Sequence, residues 1–276
     1  MDFKHDIPNE CAFHHTKGGE FCSPDEIIDG LHKFAKKNLS NREKGVGLLT
    51  ALKNRYDCKS ESCILTRYEV KEFLDPEKVD EVLRDYFKPE GPKFSRAWLS
   101  NDEIDAVLDQ IAKKYEHRHF LHIPYQMRDF QKTGTELATM DWQKKYEQGY
   151  RTFGTVVNTD YSIGKGIHWF ALFGDFDDNR QVFTIEYFNS SGENPLPEIS
   201  EWMKNQKYKL QLPKPVKDVV VTNIVNQNDT HSCGPYSLYY ILSRLDGVPM
   251  EWFRTNRIGD QNMLLFRQYL FRDKTN

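Results

Sequence analysis

The stretch HSCGPYSLYYIL, residues 231–242, decides how the rest of the chain is read. Its apolar residues Tyr236, Leu238, Tyr239, Ile241 and Leu242 suit a buried helix, which puts Cys233 in the first turn or just before it. At a helix N-terminus the macrodipole and the unpaired backbone N–H groups favour a thiolate, the nucleophilic form of cysteine. Gly234 allows a substrate to approach closely, and Pro235 suits an early helical position that donates no hydrogen bond. A lone cysteine is more often a small core residue. Here the polar, turn-like His231-Ser232 before it and Gly-Pro after it favour the reactive reading.

Upstream lie four runs rich in Val, Ile, Phe and Tyr, at 151–158, 167–173, 181–188 and 218–225, separated by turn residues and read as strands. Three further residues stand at the mouths of these runs. His168 follows the turn Gly164-Lys165-Gly166 and opens the second strand, where an imidazole can serve as general base toward a thiol and as acid toward a leaving amine. Asn189 ends the next strand. Its amide oxygen can fix the imidazole's tautomer and orientation without adding charge. A plain antiparallel hairpin is expected to keep those two strand ends apart unless it is offset. Gln227 lies six residues before Cys233, and its amide N–H can join the Cys233 backbone N–H as an oxyanion hole, worth about 3–4 kcal/mol per donor.

The first ninety or so residues read as helices. Ser23-Pro24-Asp25-Glu26 offers a cap, a first-turn proline and acids, and Asp75-Pro76-Glu77 starts another helix. Lys88-Pro89-Glu90-Gly91-Pro92-Lys93 is the strongest punctuation, so a helical arm of residues 1–90 and a second domain of residues 91–276 are expected. Ser100 and Glu103 form a capping box ahead of a buried stripe from Ile104 to Tyr115. Helices before, between and after a few strands indicate an α+β fold.

The order His, Asn, Gln, Cys, with HW at the first position and CGPYS at the last, resembles the SUMO-protease and adenovirus-protease superfamily. The segments VVNTDYSIGKGIHW, IEYFNSSG, VTNI and CGPYSLYYI, with SESC in the arm and YLFR near the C-terminus, look like the African swine fever virus type of polyprotein-processing cysteine protease. The resemblance implies a papain-like core with a central mixed sheet flanked by helices, catalytic His168, Asn189 and Cys233, and Gln227 as oxyanion donor. It also implies cleavage after Gly-Gly in viral structural polyproteins, in the host cytoplasm at the viral factory and in the virion. Trp169 and Trp98, the latter in a WLSND segment similar to the WLND motif of SUMO proteases, are expected to wall a slot that only side-chain-free Gly-Gly can thread. Asn158 either reaches the His168 region or is a turn residue.

Alternatives are deconjugation of a host ubiquitin-like modifier, which uses the same chemistry, and a non-catalytic Gly-Gly-binding module. A net charge of −3 gives no global reason to bind nucleic acid or an anionic membrane, and no run is long enough to span a bilayer. The polar N-terminus has no signal-like apolar segment. Five cysteines, an odd count, suggest reduced thiols. Cys11, His14, His15 and Cys22 are zinc-binding types, but these spacings and that of Cys58 and Cys63 miss the tight C-x₂-C pairing. No metal or other cofactor is expected.

Overall fold

The proline at position 24 and the acids after it start α1 (Asp25–Asn38) in the computed structural model, which describes residues 10–15, 19–40 and 45–273. Residues 1–9, on which the signal-segment reading partly rests, lie outside the described residues. Ser23 does not cap this helix. Pro24 takes the N-cap position, and the Ser23 backbone N–H donates to Glu61 at 3.2 Å. The helices α2 (Leu48–Tyr56), α3 (Glu61–Leu65), α4 (Tyr68–Leu74) and α5 (Pro76–Tyr86) follow, and the Asp75 side chain caps the last as expected. They share a small core around Leu31, Leu52, Ile64, Val70 and Val79.

The arm's cysteines correct the expectation of reduced thiols. Cys11 is bonded to Cys22 and Cys58 to Cys63, leaving Cys233 as the free thiol. Glu10, Cys22 and Glu61 come together with ligand-type atoms, but the Cys22 sulfur is committed to Cys11. The Glu61 carboxylate accepts the Cys22 and Ser23 backbone N–H groups.

The second half begins with α6 (Asn101–Lys114), where both halves of the Ser100–Glu103 capping box are made. A six-stranded sheet comprises β1 (Phe120–His122), β2 (Gln126–Met127), β3 (Thr152–Asn158), β4 (Trp169–Asp175), β5 (Phe183–Phe188) and β6 (Val216–Val221). Its order is β1-β3-β4-β5-β6, with β2 also on β3. Between β2 and β3 lie the short helices α7 (Phe130–Thr133), α8 (Glu136–Thr139) and α9 (Trp142–Glu147), and α10 (Pro197–Lys209) precedes β6. The chain continues through α11 (Cys233–Leu245), α12 (Met250–Thr255) and α13 (Asp260–Leu270).

Along β4 the side chains of Trp169, Ala171 and Phe173 face one cluster and those of Phe170 and Leu172 another, as period-two alternation requires. A strand apolar on both faces belongs in the middle of a covered sheet. α6, α11 and α13 cover the first face, and α9 and α10 the second. Phe153 of β3 pairs with Gly174 of β4, and a Cβ at Gly174 would run into the Phe153 ring. Gly174→Ala is therefore expected to destabilise the fold by about 1–3 kcal/mol through overpacking, seen as a lower urea midpoint. An unchanged midpoint would show that the ring moves aside freely.

A buried charge cluster fixes the far end of α11 to the sheet. Glu186 of β5, fully buried, accepts from Tyr240 Oη (2.7 Å), Arg244 Nε (2.8 Å) and Arg244 Nη2 (2.9 Å). Arg244 also donates to Asp175 (3.0 Å) and to the Val248 carbonyl (2.7 Å).

Strand direction explains how the candidate residues meet. β4 is antiparallel to both β3 and β5, and β6 is parallel to β5. The start of β4 therefore lies at the same edge as the ends of β3, β5 and β6. Antiparallel pairing itself brings His168, just before β4, to Asn189, just after β5, which corrects the expectation that a hairpin would separate them. The register needs no offset loop: Ala171 pairs with Phe188.

Candidate active site

Cys233 is the first residue of α11 and is buried, with Ser232 at the cap position. Ser232 does not bond the first turn with its side chain, and its Oγ donates to Asp229 Oδ2 at 2.6 Å. Burial pushes the Cys233 thiol up from its ordinary value. The backbone N–H groups of Trp169, Gly234 and Cys233 itself, with the Arg267 charge, act the other way without overcoming it. The helix-terminus contribution expected from the sequence is present, but desolvation outweighs it, so the isolated thiol is neutral at pH 7. An adjacent base is needed to activate it.

His168 Nε2 lies 2.7 Å from Asn189 Oδ1. Asn189 is buried, and its Nδ2 donates to Tyr187 Oη (3.0 Å), so the oxygen is the atom presented to the ring. The same oxygen accepts from the backbone N–H (3.1 Å) and Oγ (3.0 Å) of Ser191. An acceptor facing Nε2 requires the proton on Nε2 and leaves Nδ1 as the basic nitrogen. The Trp169 backbone N–H favours the Cys233 thiolate, which links the residue after His168 to Cys233.

Gln227 sits in the loop between β6 and α11. Its backbone N–H donates to the Ser190 carbonyl (3.0 Å), its Oε1 accepts from Ser190 Oγ (2.8 Å), and its Nε2 donates to the Asp229 carbonyl (2.9 Å). The loop is thus stitched to the residue after Asn189. Asp229 organises the turn that leads into Cys233. It accepts the N–H groups of His231 (3.1 Å) and Ser232 (2.9 Å). Burial pushes its carboxyl up, but the Ser232 hydroxyl and these two N–H groups prevail and hold it below the usual carboxylate value. An Asp three residues before a Ser at a helix start is an Asx-turn signal that was available in the sequence.

The two tryptophans differ. Trp98 is half exposed, and its Nε1 donates to the Thr230 carbonyl at 2.6 Å, so it reaches across to the loop before Cys233. Trp169 is buried in the core and donates to the Leu99 carbonyl at 3.1 Å. Both border a cleft of about 400 Å³, together with Leu99, Asn158 and Gly166. Asn158 is buried at the end of β3, and its Oδ1 accepts the N–H groups of Asp160 (2.9 Å) and Ile167 (3.0 Å). It closes the loop that delivers His168, which joins both of its expected roles, turn residue and neighbour of the His168 region.

A neutral thiol, an oriented imidazole and a side-chain amide on the adjoining loop suit acyl transfer through a thioester. Residues 97–276, more than half of the chain, match the family described as the Ulp1 protease family, C-terminal catalytic domain, and the chain belongs to that family and is a cysteine protease. Membership sets aside the non-catalytic module. The chain is 35% identical over 281 aligned residues to a cysteine protease of African swine fever virus, with 96% of each covered. A counterpart from another isolate of that virus, with the same identity and coverage, carries the name SUMO-1 cysteine protease. A crystal structure of the African swine fever virus protease matches with a TM-score of 0.82 and 34% identity, over 97% of each chain. The mixed sheet flanked by helices and the N-terminal helices agree with the expected fold class.

Proposed function

We propose that this chain is an endopeptidase that cleaves after Gly-Gly in viral structural polyproteins, with Cys233 as nucleophile. The observation that carries the mechanism is the His168–Asn189 hydrogen bond at the sheet edge where α11 begins. His168 Nδ1 takes the thiol proton as Cys233 attacks the glycyl carbonyl. Asn189 holds the ring, while the Cys233 N–H and a Gln227 amide N–H, turned away from its 3.3 Å contact with Asp229 Oδ1, stabilise the oxyanion. His168 then protonates the leaving amine, and water, deprotonated by the same nitrogen, releases the acyl-enzyme. Residues 91–276 carry this chemistry and residues 1–90 form the arm.

The cleft between Trp98 and the β4 edge favours a substrate without side chains at the scissile position. The working place in this reading is the viral factory in the host cytoplasm and then the virion. A modifier-linked substrate is the second reading, favoured by the name that one relative carries, SUMO-1 cysteine protease.

Exposing candidate polyproteins and a cell proteome to the wild type and to Cys233→Ala, then mapping new termini by mass spectrometry, tests the proposal. Termini following Gly-Gly are expected with the wild type only. On peptides, replacing the scissile-side Gly by Ala is expected to lower kcat/KM about 100-fold or more, because the added methyl clashes in the slot. Equal cleavage of the Ala peptide would overturn the specificity. Faster turnover of a modifier fusion than of polyprotein junctions would favour the second reading.

A further inference from the structure

Arg267 is a fully buried arginine with no carboxylate partner among the described residues. It lies on α13, and its Nη2 donates to the His231 carbonyl at 2.7 Å, two residues before Cys233. Its Nε and Nη1 have no hydrogen-bond partner among the described residues. The nearby carboxylates are engaged elsewhere: Asp229 with His231 and Ser232, and Glu103 with the Ser100 N–H. A guanidinium stays charged in proteins, and burying one unpaired is costly. A fold that retains such a charge directs it at something.

The same helix holds the nucleophile loop at a second point. Asp260 accepts the Asn228 N–H (3.2 Å) and Tyr236 Oη (3.0 Å). Asp260 and Arg267 are seven residues, about two turns, apart, so they lie on one face of α13. Together they hold the loop that runs from Gln227 to Cys233.

We propose that Arg267 is a positioning residue for the nucleophile: it fixes the His231 carbonyl and sets a permanent positive charge behind the Cys233 sulfur, favouring the thiolate and the oxyanion formed from it. The inference rests on Cys233 being the nucleophile. Burial pushes the guanidinium below its ordinary value, and the Cys233, Asp229 and Glu103 charges push it back. Other titratable groups on the elements around Cys233 include His168 ahead of β4, Asp229 and His231 in the loop, Asp102, Glu103 and Asp105 of α6, Tyr236, Tyr239 and Tyr240 of α11, and Asp260 of α13.

The test is the pH dependence of Cys233 alkylation by iodoacetamide in the full chain, for wild type, Arg267→Lys and Arg267→Gln, with circular dichroism to establish folding. Arg267→Gln removes the charge and leaves a shorter, neutral amide at the site. Its alkylation midpoint is expected to rise by about one pH unit, a tenfold loss of thiolate at neutral pH. Arg267→Lys, which keeps the charge, is expected to recover at least half of that shift. A folded Arg267→Gln with the wild-type midpoint, or a Lys variant shifted as far as Gln, would overturn the inference and leave Cys233 as nucleophile. Failure of iodoacetamide to label Cys233 in the wild type would remove both.

Discussion

Replacing Cys233 by Ala, or His168 by Ala, is expected to lower kcat/KM on a Gly-Gly-X peptide by at least about ten-thousand-fold. Removing Cys233 deletes the atom that forms the thioester. Removing His168 leaves a buried neutral thiol, pushed above its ordinary value, with no base to take its proton. Neither change opens a large cavity, so thermal unfolding is expected to move by only about 3 °C or less in each. The two losses are also non-additive, because the residues act as a unit: the double variant should be no slower than the worse single one. Activity above roughly one per cent of wild type in either folded variant would refute the assigned roles. Asn189→Ala is milder, since the imidazole remains and loses only its orientation.

The largest expected stability effect lies away from the cleft, at Glu186. Glu186→Leu should destabilise the protein by about 3–5 kcal/mol, because it leaves the buried Arg244 with Asp175 as its sole carboxylate partner. Urea unfolding followed by tryptophan fluorescence measures the loss. Part of it should return in the double variant Glu186→Leu, Arg244→Met, which removes the stranded charge. A loss below about 1 kcal/mol in the single variant would mean that Asp175 alone satisfies Arg244.

The sequence was most informative where a local rule acts alone. Ser100 and Glu103 cap α6 as their spacing predicts, Asp75 caps α5, and Cys233 opens α11. The four long strands were legible from their composition, with ends shifted by at most four residues. β1 and β2 were not, because three and two residues are too short to carry a period. Glu186 looks like a solvent-facing residue in a strand, and only the α11 layer above it makes it a buried ion. The disulfides close short local segments, Cys11 to Cys22 and Cys58 to Cys63, which spacing alone does not tell from free thiols. In the site, Cys233 and His168 stand out locally. Asn189 acquires its role from strand direction, Gln227 from a loop stitched to Ser190, and Arg267 has no local signal, since one Arg in a C-terminal helix looks like surface.

The segment joining the arm to α6 is fastened by partners very distant in the chain. Trp98 donates to Thr230, 132 positions on, and Arg272 reaches Glu90 across 182. Closing a loop of 132 residues costs about 2.3 kcal/mol more entropy than closing one of ten, so contacts of this kind form only once most of the surrounding structure repays them. The groove wall is therefore expected to form late in folding. A partly folded chain carries its thiol without the opposing wall and without the clamped loop, and it has nowhere to hold a substrate. Substrate binding is thus expected only in the completed fold.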